Sequence, residues 1–160
     1  MNNLEPKLEP PSLYEWAGGI EALKTLTGVF YGKVLADDIL RPVFEHMQGD
    51  HPQRVAEFLG EVLGGPPAYS ENFGGHARML SQHLNRGLTE AQRRRWVDLL
   101  LNSADEAGLP SDPEFRSAFV SYIEWGTRLA VLNSQPGVNP SLNEPMPRWG
   151  WGEVKGPYQP

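Results

Sequence analysis

His83 is the residue of this 160-residue chain best placed to do chemistry. It stands in a short apolar setting, with Met79, Leu80 and Leu84 around it, between the glycine-rich stretch Phe73-Gly74-Gly75 and a later helix bearing Trp96. A neutral imidazole coordinates a metal through one ring nitrogen, and the other nitrogen needs an acceptor to fix its tautomer. A lone histidine on a short helix, facing an apolar wall built by another helix, is what five-coordinate haem iron requires. The plain alternative is a half-exposed helix histidine. His51 is a second candidate, but Asp50-His51-Pro52 also reads as a helix start, with Asp50 as cap and Pro52 in the first turn.

Composition removes several other chemistries. The chain has no cysteine, which excludes disulfides, thiolate catalysis and thiolate-ligated iron together and suits a reducing cytoplasm. Lysine plus arginine number 14 against 20 aspartate plus glutamate, a formal charge of −6. That balance argues against nucleic acid as a partner, because phosphate binding needs a basic face. Arg93-Arg94-Arg95 is the one basic run, and a solvated helix face is its expected role. The N-terminus lacks the basic start and apolar core of a secretory signal, and no apolar run approaches the roughly 20 residues of a membrane span. A protein of the cytoplasm, away from membranes, is expected.

The elements that must position these residues are helical. Residues 1–11 carry Pro6, Pro10 and Pro11 without periodicity and read as a loose arm. Ser12 caps a short helix over Leu13–Ala17, with Glu15 completing a capping-box pattern, and Gly18-Gly19 ends it. Leu23, Leu26, Val29, Phe30, Val34 and Leu35 recur at helical spacing in a second helix. Asp37-Asp38 opens a brief helical turn that stops near Arg41-Pro42. A helix over about 51–63 shows Val55, Phe58, Leu59 and Val62 on one face and is stopped by Gly64-Gly65-Pro66-Pro67. A short helix near 76–84 holds His83. Thr89 caps a helix running to about Ala107, and Asp112-Pro113 starts a last one reaching Leu132. From 133 to 160 prolines and glycines forbid regular structure, yet Trp149 and Trp151 sit there, so this extension is expected to lie against the helical body. Sustained period-two alternation is absent, and the fold class is all-α.

The ordered set Phe30-Tyr31, Phe44, Gly64-Gly65-Pro66, Tyr69-Ser70, His83 and Trp96, with glycine pairs after the first and distal helices, resembles the truncated haemoglobins, most closely their second group. The resemblance runs from Tyr14 to Leu132. It implies a two-over-two helical sandwich around haem b over 12–132, flanked by the two extended arms. It makes His83 the iron ligand and Tyr31 a distal phenol donating to bound dioxygen. Phe44 becomes the aromatic wedged against the haem, where many members carry tyrosine. Trp96 becomes the pocket tryptophan, whose indole N–H donates and never accepts. His51 takes the first distal position, where it could bond the ligand, swing as a gate or bind iron. Val55, Phe58, Tyr69 and Met79 would line the cofactor. Gln82 stands where the group usually has an arginine for a haem propionate, leaving His76, Arg78 or Tyr69 to serve.

The implied function is reversible binding of dioxygen and other diatomic ligands such as nitric oxide. The resemblance also allows a redox or detoxifying role, with dioxygenase- or peroxidase-like activity, a reductase as partner and a homodimer. Two other readings stay open. One is a haem-free globin-like interaction or sensor module, in which the same helices form a packed core. The other is a non-haem iron enzyme using His51 and His83, which would need carboxylates at ligand spacing; Asp50 and Glu57 do not make a Glu-x-x-His pattern.

Overall fold

The computed structural model describes residues 9–160. Most of the N-terminal arm expected over 1–11 therefore lies outside the described residues. Eight α-helices and one 3-10 turn, Gly152–Val154, in the extension where none was expected, account for the regular structure, with no strand among the described residues. They are α1 (Leu13–Ala17), α2 (Gly19–Leu35), α3 (Arg41–Phe44), α4 (His51–Val62), α5 (Ala68–Phe73), α6 (Gly75–His83), α7 (Glu90–Glu106) and α8 (Pro113–Asn133). Helix α2 packs on α4 and α7, and α7 packs on α8, so two helical pairs are laid one over the other. No described helix is long and apolar enough to cross a membrane.

The apolar periodicity of α2 drives this arrangement. Leu23, Leu26, Phe30 and Val34 are fully buried and meet Leu59, Val62 and Leu63 from α4 and its end, and Leu100, Phe115 and Phe119 from the other pair. Rings of this size bury at roughly 25 cal/mol per Å². Two glycines permit the tight layering. Gly18 ends α1 in the left-handed region at φ 108°. Gly65 lies against Tyr14, where an added Cβ would come within 2.7 Å of the ring and of the Gly60 carbonyl oxygen. The Tyr14 amide donates to the Leu63 carbonyl at 2.9 Å, so α1 is stapled to the end of α4.

Caps follow the residue types, with corrections. Thr89 and Gln92 form a full capping box on α7, and Asp112 accepts from the Phe115 amide at 3.0 Å. Ser12 accepts from the Glu15 amide at 3.0 Å, but Glu15 turns to the Ser12 hydroxyl and leaves the reciprocal half of the box unmade. Asp50 does not cap α4; its carboxylate accepts from Arg54 Nε at 2.9 Å. The brief helix after α2 begins at Arg41 instead of ending there. Asp37 uses its carboxylate on the Ile39 and Leu40 amides, which holds the chain in a turn first.

The basic run is a solvated face at two of its three positions. Arg94 and Arg95 are exposed as expected, Arg95 reaching Asp37 at 2.6 Å, whereas Arg93 is buried and pairs with Glu90 and Glu124 at 2.7 and 3.2 Å. Burial alone would raise the Asp37 pKa, but the Arg95 hydrogen bond and the Leu40 and Ile39 amides outweigh it and hold the carboxyl below its ordinary value.

Candidate functional site

Between the helical pairs lies a cavity of about 1210 Å³, larger than the roughly 300–1,000 Å³ common for small-ligand pockets. One wall comes from α2, α3 and α4. Tyr31, near the end of α2, is buried, and its Oη lies 2.9 Å from His51 Nε2 at the start of α4. Phe44 from α3 closes on both, with ring centroids 5.8 Å from Tyr31 and 6.0 Å from His51. Burial pushes the Tyr31 phenol well above its ordinary pKa. Burial and then the neighbouring Arg54 hold His51 below the ordinary histidine value, so its imidazole is neutral at pH 7. Val55 and Phe58 continue this wall along α4, and Phe58 meets the Tyr69 ring edge-on at 5.2 Å.

Tyr69 is placed by α5, a six-residue helix in a stretch where the sequence spacing predicts no element. Buried Glu61 anchors it, accepting from the Ser70 amide at 2.8 Å and the Ser70 hydroxyl at 2.5 Å.

The facing wall carries His83, the last residue of α6. Its Nδ1 lies 3.0 Å from the Met79 carbonyl oxygen. A carbonyl only accepts, so Nδ1 bears the proton and Nε2 keeps its lone pair. Burial holds the ring below its ordinary pKa, against the opposing effect of that same hydrogen bond. A neutral imidazole with an oriented tautomer and a free Nε2, lining an apolar cavity, is the donor that iron takes. On the third side Trp96, one and a half turns into α7, packs edge-on against Phe30 at 5.0 Å. Its indole N–H has no protein acceptor among the described residues.

The structure brings all the sequence-derived candidates to this one cavity: Tyr31, Phe44, His51, Val55, Phe58, Tyr69, His76, Arg78, Met79, His83 and Trp96. His51 is the first residue of α4, is half-buried, and lines the cavity. Sequence reasoning missed the contribution of α8, where Tyr122, Ile123 and Gly126 line the cavity, and of Trp149 beyond it. Their three- and four-residue spacing on α8 was visible but read only as core. It also missed Arg54, Arg86 and Arg148, which together with Arg78 give an acidic chain a basic cavity lining. No group of three or more histidine, aspartate or glutamate side chains suited to a metal occurs among the described residues, which counts against the non-haem iron reading.

Two crossed helical pairs enclosing a cavity, with His83 oriented by a helix carbonyl on its wall, define a globin fold. The Bacterial-like globin family matches residues 12–124, and the chain belongs to it. It is similar to group 2 truncated hemoglobin YjbI of Bacillus subtilis, at 30% identity over 117 residues, 73% of this chain and 86% of that protein. Among solved structures, the hemoglobin of the thermophilic phototrophic bacterium Chloroflexus aurantiacus superposes with a TM-score of 0.67 at 30% identity, covering 75% of this chain and 97% of that one. The truncated oxygen-avid haemoglobin of Bacillus subtilis gives 0.67 at 29% identity, covering 76% and 99%. Membership of a globin family implies a haem cofactor, and the residues present fit it. The cavity is roomy and largely apolar, and His83 presents a free neutral imidazole nitrogen on its wall.

Proposed function

We propose that this chain would hold haem b through His83 and reversibly bind dioxygen, and also nitric oxide, on the Tyr31–His51 side. The observation that carries this reading is the His83 Nδ1 contact to the Met79 carbonyl, which leaves Nε2 as a lone-pair donor lining the cavity. The cavity itself argues against a haem-free module, because beside their packed core the helices leave a space of about 1210 Å³ open. Haem supplies the ferrous iron that takes up a diatomic ligand.

The chain supplies hydrogen bonds, orientation and exclusion of water. Bound dioxygen carries partial negative charge, so donors stabilise it, each by about 1 kcal/mol or more in a dry pocket. Trp96 offers an N–H without a competing acceptor. The Tyr31–His51 pair has two proton arrangements. If His51 Nε2–H donates to Tyr31 Oη, the phenol proton is free to turn toward the ligand. If the phenol donates to Nε2, no proton remains for the ligand. A ligand that rewards the first arrangement therefore selects the His51 tautomer. Phe44, unlike a tyrosine, adds no further donor. Several donors around one ligand imply slow dioxygen release, as for sensing or redox chemistry on nitric oxide, and a reductase would restore ferrous iron. The cysteine-free composition suits a reducing cytoplasm.

The test is a dioxygen dissociation rate on the haem-loaded protein, for the wild-type chain and for Tyr31→Phe. Slow release that accelerates in the variant supports the reading. A chain that takes up no haem, with no strong absorption near the blue edge of the visible spectrum, refutes it.

A further inference from the structure

The family match ends at residue 124, and the segment after α8 has no part in it. Residues 140–149 nevertheless line the cavity, through Pro140, Ser141, Glu144, Met146, Arg148 and Trp149 among others. We propose that this segment is a strap belonging to the cofactor site: it closes the α6–α8 flank of the cavity, and its release from the body is the route by which haem enters and leaves. The inference rests on the haem reading above.

Its attachments are few and identifiable. The Glu144 carbonyl accepts from His76 Nδ1 at 3.1 Å, which ties the strap to α6 and fixes the His76 tautomer with the proton on Nδ1. The Trp149 amide donates to the Val62 carbonyl at 2.8 Å, at the end of α4. The Trp149 ring lies against Tyr122 and Trp125 of α8, with centroids at 5.4 and 5.5 Å. Met146 and Trp149 pack on the hydrophobic core. Beyond the strap, Trp151 Nε1 donates to the Pro11 carbonyl at 2.7 Å and its ring meets Trp16 edge-on at 6.3 Å.

The strap has no regular structure of its own, so no hydrogen-bond ladder resists its lifting. The other walls are mostly helix, with His46, Met47, Gln48, Arg86 and Leu88 added from the segments that join helices. Pro140, Pro145 and Pro147 hold the path extended and lower the entropy lost on docking, which makes reclosure easy once the anchors find their partners. A wall attached at a few points, beside walls held by whole helices, is the one that opens at least cost.

The chain has no cysteine, so a redox-controlled latch can be introduced cleanly. A Cβ built on Gly156 would lie 3.3 Å from Pro10 Cβ, within a few tenths of an ångström of the spacing of about 3.5–4.5 Å found across disulfides. The experiment measures haem transfer from the loaded protein to excess apomyoglobin, for the Pro10→Cys/Gly156→Cys variant oxidised and reduced. A chain truncated after Asn139 is measured beside it. The oxidised latch is expected to release haem several-fold more slowly than its own reduced form, and the truncated chain at least about tenfold faster than the full one, a change worth about 1.4 kcal/mol. Equal rates in the two redox states overturn the proposal. So does a truncated chain that loads haem and keeps it as long as the full chain does. Should truncation prevent folding, the latch alone decides. An intact chain that shows no haem absorption sinks the haem reading and the strap with it, whereas normal absorption with equal rates sinks the strap alone.

Discussion

The two facing walls of the cavity are built by different means. The ligand side rests on α2 and α4, longer helices that contribute Leu23, Leu26, Phe30, Val34, Leu59 and Val62 to the buried core and whose polar groups, Tyr31 and His51, are bonded to each other. The His83 side rests on α6, nine residues long with Leu80 as its buried side chain, entered through Gly74 and Gly75 at φ 88° and 67° and left through Asn85 at φ 60°. One wall is a scaffold that fixes donors in place. The other is a short helix that carries His83, the iron ligand of the proposed function, and is completed by an irregular strap. On the proposed function, the contrast places ligand discrimination on the long helices and cofactor exchange beside the short helix and its irregular strap.

The largest expected effect separates the walls by stability. Phe30→Ala on α2 should cost about 3–5 kcal/mol of global stability, measured by denaturant unfolding of the apo-chain. Leu80→Ala on α6 should cost less than half as much globally and appear instead as faster amide exchange confined to α6. Equal global losses would erase the distinction between scaffold and short helix.

Next in size, Tyr31→Phe and Trp96→Phe should each speed dioxygen release by about tenfold, the loss of roughly 1.4 kcal/mol of hydrogen bonding. The double variant should fall short of the product, because both donors serve one ligand. Stopped-flow rates within error of wild type in both single variants would take these residues out of the ligand network.

A smaller effect tests how α7 presents Trp96. Thr89→Ala removes the cap and one half of the capping box and should cost about 1 kcal/mol in thermal or denaturant melts. Dioxygen release should stay near wild type, since Trp96 is also held by its contact with Phe30.

The smallest concerns pH. His51 has a folded pKa below its ordinary value of 6.5, so the unfolded chain binds more protons at mildly acidic pH. Its contribution to stability is fully present above 6.5 and is lost as pH falls through the lower folded value. The apo-chain should therefore weaken as pH drops below 6.5, and His51→Gln should flatten part of that slope. An unchanged slope in His51→Gln would place the sensitivity elsewhere.

Much of this was legible in the sequence, for reasons that are local. The caps at Ser12, Thr89 and Asp112, and the apolar spacing of α2 and α4, declare helices whose ends fall within a residue or two of their expected places. The residues from Tyr31 to Trp96 converge on one cavity because each sits on such a helix. What was not legible depends on contacts far apart in the chain. Arg93 looks solvated until Glu124, 31 residues on, is brought beside it. Helix α5 exists because Glu61 reaches across to Ser70. Trp149 announced that the extension docks, but not that its landing place is Tyr122 and Trp125 beside the cavity. The Gly74-Gly75 stretch blurred the register before His83, since two left-handed glycines restart the helix there.

The account turns on His83 as the residue that holds haem. The most direct measurement is a spectrophotometric haem titration of the apo-chain beside His83→Gly, with and without added imidazole. The wild-type chain should show a sharp end point at one haem per chain, His83→Gly should show weak, non-saturating uptake, and imidazole should restore the five-coordinate ferrous spectrum to the variant. Full, stoichiometric uptake by His83→Gly without imidazole, with an unchanged ferrous spectrum, would contradict the account.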